Sequence, residues 1–230
     1  MINQTLYASF AAMLGGISGL LIAKNINHFP REIFAQFEPD SLDGLSELSL
    51  TGRMLVALAV GIIWLACALK FGQDAKAVCW AIFGTTLTAL AIIDARTFLL
   101  PDAVTQPLVW AGLLASSSGW IDLPVHDAVI GAVVGYAGLR TFGTCFRMIT
   151  GQEGVGVGDF KLMAAMGAWL GPLALLQVIF LASLLGSVAG ISMKMLNRLD
   201  DEGNFPFGPS LALGGLATAW FGVKINTLLH

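Results

Sequence analysis

Residues 53–96 read RMLVALAVGIIWLACALKFGQDAKAVCWAIFGTTLTALAIIDAR. Apolar runs at 52–70 and 76–93 flank a short polar turn, and neither alternates like a half-buried strand. Each run approaches the roughly 20 residues a helix needs to cross a bilayer. Inside lipid the backbone must pair with itself, which leaves helices or a closed barrel. Barrel alternation is missing, so the pattern predicts helices. Working outward, similar runs fall at 4–24, 103–120, 124–148, 159–171, 172–196 and 207–226. The fold class this predicts is an all-α polytopic membrane protein with about eight transmembrane helices. The run at 159–171 is short, which fits a tilted span or one that starts below the membrane surface.

Composition agrees. The 230 residues are 56% hydrophobic and 12% charged, where a soluble domain is about a quarter charged. A soluble globule has no place to hide that much apolar surface, whereas membrane lipids accept it. The net charge of −3 gives no sign of a nucleic-acid partner, and none is expected. Cys67, Cys79 and Cys145 lie in apolar runs without CxxC spacing and read as small hydrophobes, so no metal site is expected. The first run lacks a basic leader and a cleavage site, and reads as a retained span. The sizeable polar stretch, 28–51, reads as a short loop or subdomain; the chain, 1–230, otherwise reads as one membrane-embedded domain. Lys24, Arg31, Arg53, Arg96, Arg147, Lys194 and Arg198 border one face, against Lys70, Lys76 and Lys224 on the other. The richer set faces the cytoplasm, which places both termini outside.

Acidic residues in apolar sequence are costly and point to function. Asp94 closes the run 76–93 and has no capping role to explain it. Asp102 follows Pro101 and is placed to cap the next helix. Further on, Gly154, Gly156 and Gly158 alternate ahead of Asp159. Such glycines let a backbone pass close to something or take φ > 0. Taken alone, Asp159 reads as the N-cap of a helix beginning at Phe160. A phosphate loop is a poor rival, because GxxxxGK[ST] is absent and an aspartate repels phosphate. On this topology Asp94 and Asp159 share the cytoplasmic side. Two carboxylates meeting there would share a proton. One then takes a proton from water while the other donates to a peptide carbonyl, which is aspartyl proteolysis. A transporter or channel would use the same carboxylates as a proton or cation site. The position of both near a membrane face and the lack of an inverted repeat count against it.

The segment Ile93-Asp94-Ala95-Arg96, with Leu100-Pro101-Asp102 and Thr105, resembles the first aspartate motif of the type IV prepilin peptidases. Residues 151–162, GQEGVGVGDFKL, and 167–171, GAWLG, are similar to that family's GxGD motif and its flank. Pro206-Phe207-Gly208-Pro209, followed by 211–215, LALGG, is similar to its final-span motif, and Gly15 to Pro30 to its first span. The ordered set covers most of the chain. The resemblance implies a GxGD intramembrane aspartyl endopeptidase of the bacterial inner membrane, with its active site toward the cytoplasm. Its substrates would be type IV prepilins or type II secretion pseudopilins, cut after a glycine. By motif position the catalytic pair maps to Asp94 and Asp159. Many members also methylate the new N-terminus with S-adenosylmethionine and bind zinc through two CxxC pairs in the first cytoplasmic loop. The loop here, 28–51, has no cysteine, so zinc is not expected, proteolysis needs no cofactor, and the methyltransferase activity stays open.

Weaker signals surround the pair. Arg96 and Lys161 each follow an aspartate by two residues. They either favour the charged carboxylate and hold a substrate carbonyl, or snorkel at a span end. Gly156 and Gly158 would leave room for an extended substrate beside Asp159. Asp102 supports the site as a helix cap. Glu38, Asp40, Asp43, Glu47, Asp200, Asp201 and Glu202 would attract a basic leader.

Overall fold

The computed structural model describes residues 4–26, 47–151, 154–196 and 205–222. Among the described residues the regular elements are eight α-helices: α1 (Gln4–Asn25), α2 (Leu50–Phe71), α3 (Ala75–Thr97), α4 (Asp102–Ser117), α5 (Val125–Thr150), α6 (Val157–Leu170), α7 (Ala174–Met195) and α8 (Gly208–Phe221). They match the eight apolar runs in order. Five of them, α1, α2, α3, α5 and α7, are long and apolar enough to cross a membrane. Helix α4 has 16 residues, and α6 and α8 have 14 each. At 1.5 Å per residue, 14 residues run about 21 Å, less than the roughly 30 Å hydrocarbon core. The exposed positions of the long helices carry Leu58, Ile62, Val133, Phe180 and Leu184, the side chains lipid accepts. The chain is an all-α, multi-pass membrane protein.

The polar stretch 28–51 falls outside the described residues up to Ser46, and so do Asp200, Asp201 and Glu202. Its last residues start α2. The Ser49 hydroxyl accepts from the Gly52 N–H at 3.1 Å and caps the helix. Glu47, expected to attract a leader, is ion-paired with Arg53.

The helices fall into two compact units, Met1–Thr97 and Phe98–His230. In the first, α1 buries Ala8, Ala11, Gly15, Gly19 and Ala23. Their spacing of three or four residues makes one small-residue stripe, which lets helix backbones approach closely. A Cβ on Gly19 would stand 2.8 Å from the Ala57 Cα of α2. Helix α2 is tied to α3 by Trp64, whose indole N–H donates to the Thr85 hydroxyl at 2.9 Å. Helix α3 buries Phe83, Leu87 and Leu90 almost completely. That spacing defines one helix face, and one turn further along it stands Asp94.

In the second unit α6 is the core helix: it touches α4, α5, α7 and α8, and buries every residue from Phe160 to Trp169 except Lys161. It crosses α5 backbone to backbone. A Cβ on Gly167 would meet the Gly131 carbonyl oxygen at 2.0 Å, and one on Gly131 would meet that of Gly167 at 2.2 Å. At the far end of α6 the Trp169 indole N–H donates to the Leu108 carbonyl of α4 at 2.8 Å. Helix α5 stops at Gly151, which takes φ 73 and returns its N–H to the Arg147 carbonyl.

Candidate active site

Asp94 sits in the last turn of α3 and is 5% exposed. Its burial follows from the stripe Phe83–Leu87–Leu90, which carries its side chain onto the covered face. Arg96, two residues on, is half-buried on a different face. The Thr97 hydroxyl donates back to the Ile93 carbonyl at 2.8 Å, and the helix ends there. Phe98 then adopts φ 54, a left-handed conformation uncommon for a bulky residue.

The chain re-enters helix through Leu100-Pro101-Asp102, and here the sequence expectation needs correcting. Asp102 does not cap α4. Pro101 occupies the N-cap position with no side-chain cap bond, and Asp102 is the first helical residue. Its carboxylate is engaged elsewhere: the Lys161 ammonium donates to Asp102 Oδ1 at 2.5 Å and Oδ2 at 2.6 Å. The Lys161 ammonium is thus paired with Asp102 across 59 residues of sequence. Its partner was visible in the sequence as a second isolated charge at a helix start.

Asp159 is 6% exposed. It too differs from the expected N-cap. Helix α6 starts at Val157, Gly156 is the N-cap, and Asp159 is the third helical residue. Its Oδ2 accepts from the Gly156 N–H at 3.2 Å. That is half of a capping box, the other half being denied by the absence of a side chain on glycine. The carboxylate thus lies at a helix N-terminus, where backbone N–H groups favour negative charge.

The alternate glycines serve close approach rather than positive φ, which occurs at other glycines. A Cβ on Gly158 would stand 2.7 Å from Leu100 Cβ, so the space is filled by this chain's own residue rather than left for a substrate. A Cβ on Gly156 would lie 3.3 Å from Asp159 Oδ2. Leu100, which the sequence reading named only as part of the aspartate motif, is the residue that packs into the space beside Gly158. Asp102, Gly156, Gly158, Asp159 and Lys161 are gathered in the second unit, whereas Asp94 and Arg96 belong to the first.

The model of the type IV leader peptidase family matches residues 81–191, which includes both aspartates. A prepilin leader peptidase/N-methyltransferase from Pseudomonas putida is 38% identical over 196 residues, covering 79% of this chain and 67% of the relative. The chain belongs to the type IV leader peptidase family. Relatives with the same name from Burkholderia pseudomallei and Aeromonas salmonicida are each 41% identical, over 177 and 167 residues. Those matches cover 76% and 72% of this chain but 56% and 57% of the relatives, so the chain spans little more than half their length. No solved structure matches it.

Proposed function

We propose that the chain is an aspartic endopeptidase that removes the basic leader of type IV prepilins or type II secretion pseudopilins. The cut falls after a glycine, at the cytoplasmic face of the bacterial inner membrane. The observation that carries this reading is the pair of buried helix-end aspartates, Asp94 and Asp159, inside the segment matched to the leader peptidase family. Family membership also turns the reading away from a transporter or channel.

In the proposed reaction the two carboxylates share one proton. The ionised group takes a proton from water, whose oxygen attacks the peptide carbon. The protonated group passes its proton to the carbonyl oxygen, giving a tetrahedral gem-diol. Collapse breaks the C–N bond: the proton taken from water goes to the leaving nitrogen, and one gem-diol hydroxyl returns its proton to the second carboxylate as the C=O re-forms. No cofactor enters these steps.

Zinc bound by two CxxC pairs does not fit this chain. Such a site needs four thiolates, and the chain has three cysteines, of which Cys67 and Cys79 are buried in α2 and α3. The relatives' name includes a methyltransferase, for which S-adenosylmethionine would be the donor. Incubating the purified protein with one prepilin and S-adenosylmethionine, and weighing the products, reads both activities. Wild type should yield the shortened pilin. Folded Asp94→Asn or Asp159→Asn protein that still cleaves at the wild-type rate would refute the assignment, and added methyl mass would show the second activity.

A further inference from the structure

Two contacts tie the tripeptide Leu100-Pro101-Asp102 to the first turns of α6. Leu100 fills the space of the missing Gly158 Cβ, and Asp102 holds the Lys161 ammonium through both carboxylate oxygens. Residues 158 and 161 are three apart, so they lie on one face of the helix. Pro101 between the two gripping residues is fully buried, and its ring fixes φ at about −65°, so the grip has a stiff spacer. Asp159 follows Gly158 by about 100° around the helix, off the gripped face. A side chain so placed moves with any rotation of α6 about its axis. The Gly156 N–H from which Asp159 accepts belongs to the N-cap of the same helix and turns with it.

We propose that the Asp102–Lys161 pair is a positioning device, resting on the function proposed above, that fixes the rotation of α6 and with it the placement of the Asp159 carboxylate. The pair itself is only partly buried, with the Lys161 and Asp102 side chains 27% and 51% exposed. Ion pairs so exposed add little to stability. Its loss should therefore be felt in the placement of Asp159 more than in folding.

The test has two arms, both on the full-length protein in detergent. In the first, prepilin cleavage is measured for Asp102→Asn, Lys161→Met and the reversal Asp102→Lys/Lys161→Asp. Each single variant should lower kcat about tenfold with KM within about twofold, and the reversal should return kcat to within about threefold of wild type. Singles that cleave at the wild-type rate, or a reversal no better than the singles, would overturn the proposal. The second arm does not depend on activity. Asp159→Cys in a Cys145→Ser background is exposed to a water-soluble maleimide, and labelling at 159 is read by peptide mass. Adding Asp102→Asn should speed labelling of this buried position at least about threefold, and the reversal should slow it again. Unchanged labelling across the three would overturn the proposal. If wild type cleaves no prepilin, the function proposed above has failed, and the labelling arm alone decides on the positioning role.

Discussion

Asp94 and Asp159 are buried to nearly the same degree, 5% and 6% exposed, by different means. Asp94 continues the apolar face Phe83–Leu87–Leu90 of a 23-residue helix, so its place is set by helix register and core packing. The last turn of a helix presents carbonyls rather than free N–H groups, so the helix end does not itself favour a negative charge there. Asp159 stands in a first turn preceded by glycines, and its own backbone does supply a donor, at Gly156. What that turn lacks is bulk, and Leu100 and Asp102 supply it from outside the helix. One carboxylate is held by a stiff element and the other by contacts made to a weak one. The two should therefore fail differently when their supports are removed.

The largest expected effect treats them alike. Asp94→Asn and Asp159→Asn each remove one acid–base partner, and general acid–base groups are worth about 10²–10⁴ in rate. Both variants should stay in the membrane fraction and lose prepilin cleavage by at least about a hundredfold. A large loss in one beside full activity in the other would mean that the two do not act as a pair.

The supports separate them next. Leu90→Ala removes most of a fully buried side chain one turn before Asp94, and such truncations cost about 2–5 kcal/mol. We expect a clear fall in thermal stability in detergent, with the surviving folded fraction keeping its specific activity within about threefold. Gly158→Ala should do the reverse. The added Cβ meets Leu100 Cβ at 2.7 Å, an atom fixed by the backbone, so α6 or the tripeptide must shift. Overpacking of this kind costs about 1–3 kcal/mol. Here it should lower kcat about tenfold. Gly154→Ala is the internal control: its Cβ would press on the Phe146 ring, an exposed side chain able to swing aside. Equal losses for Gly154→Ala and Gly158→Ala would show that the loop acts through backbone flexibility rather than through the Leu100 contact.

The sequence disclosed the first carboxylate more fully than the second. Apolar content located the eight helices of the described residues, and Asp94 stood out as an uncapped acid closing the run 76–93. Helix starts were less legible. The expected starts at Asp102 and Asp159 took each aspartate for an N-cap, because a carboxylate before an apolar run is the usual signature. What displaced both was tertiary or backbone chemistry: Pro101 with its preset φ caps α4, and Gly156 caps α6. The partners of Lys161 and Gly158 lie about sixty residues earlier in the chain. No periodicity within one helix encodes such a pairing, so charge complementarity was the sole hint, and Leu100 gave none.

The smallest effect tests whether α6 is positioned locally or as a rigid rod. Trp169 ties the far end of α6 to α4 by donating its indole N–H to the Leu108 carbonyl, while Lys161 ties the near end to Asp102. Trp169→Phe keeps an aromatic ring against Gly112 but removes the donor. A hydrogen bond of this kind contributes about 0.5–1.5 kcal/mol net. Trp169 is ten residues from Asp159, or about 15 Å along the helix axis. If the first turn is positioned by its own contacts, loosening the far end should lower the melting temperature slightly and leave kcat within about twofold. A kcat loss matching that of Gly158→Ala would mean that the whole rod sets Asp159. The contrast between a carboxylate held by a helix and one held by a grip would then disappear, because both would depend on the packing of an entire helix.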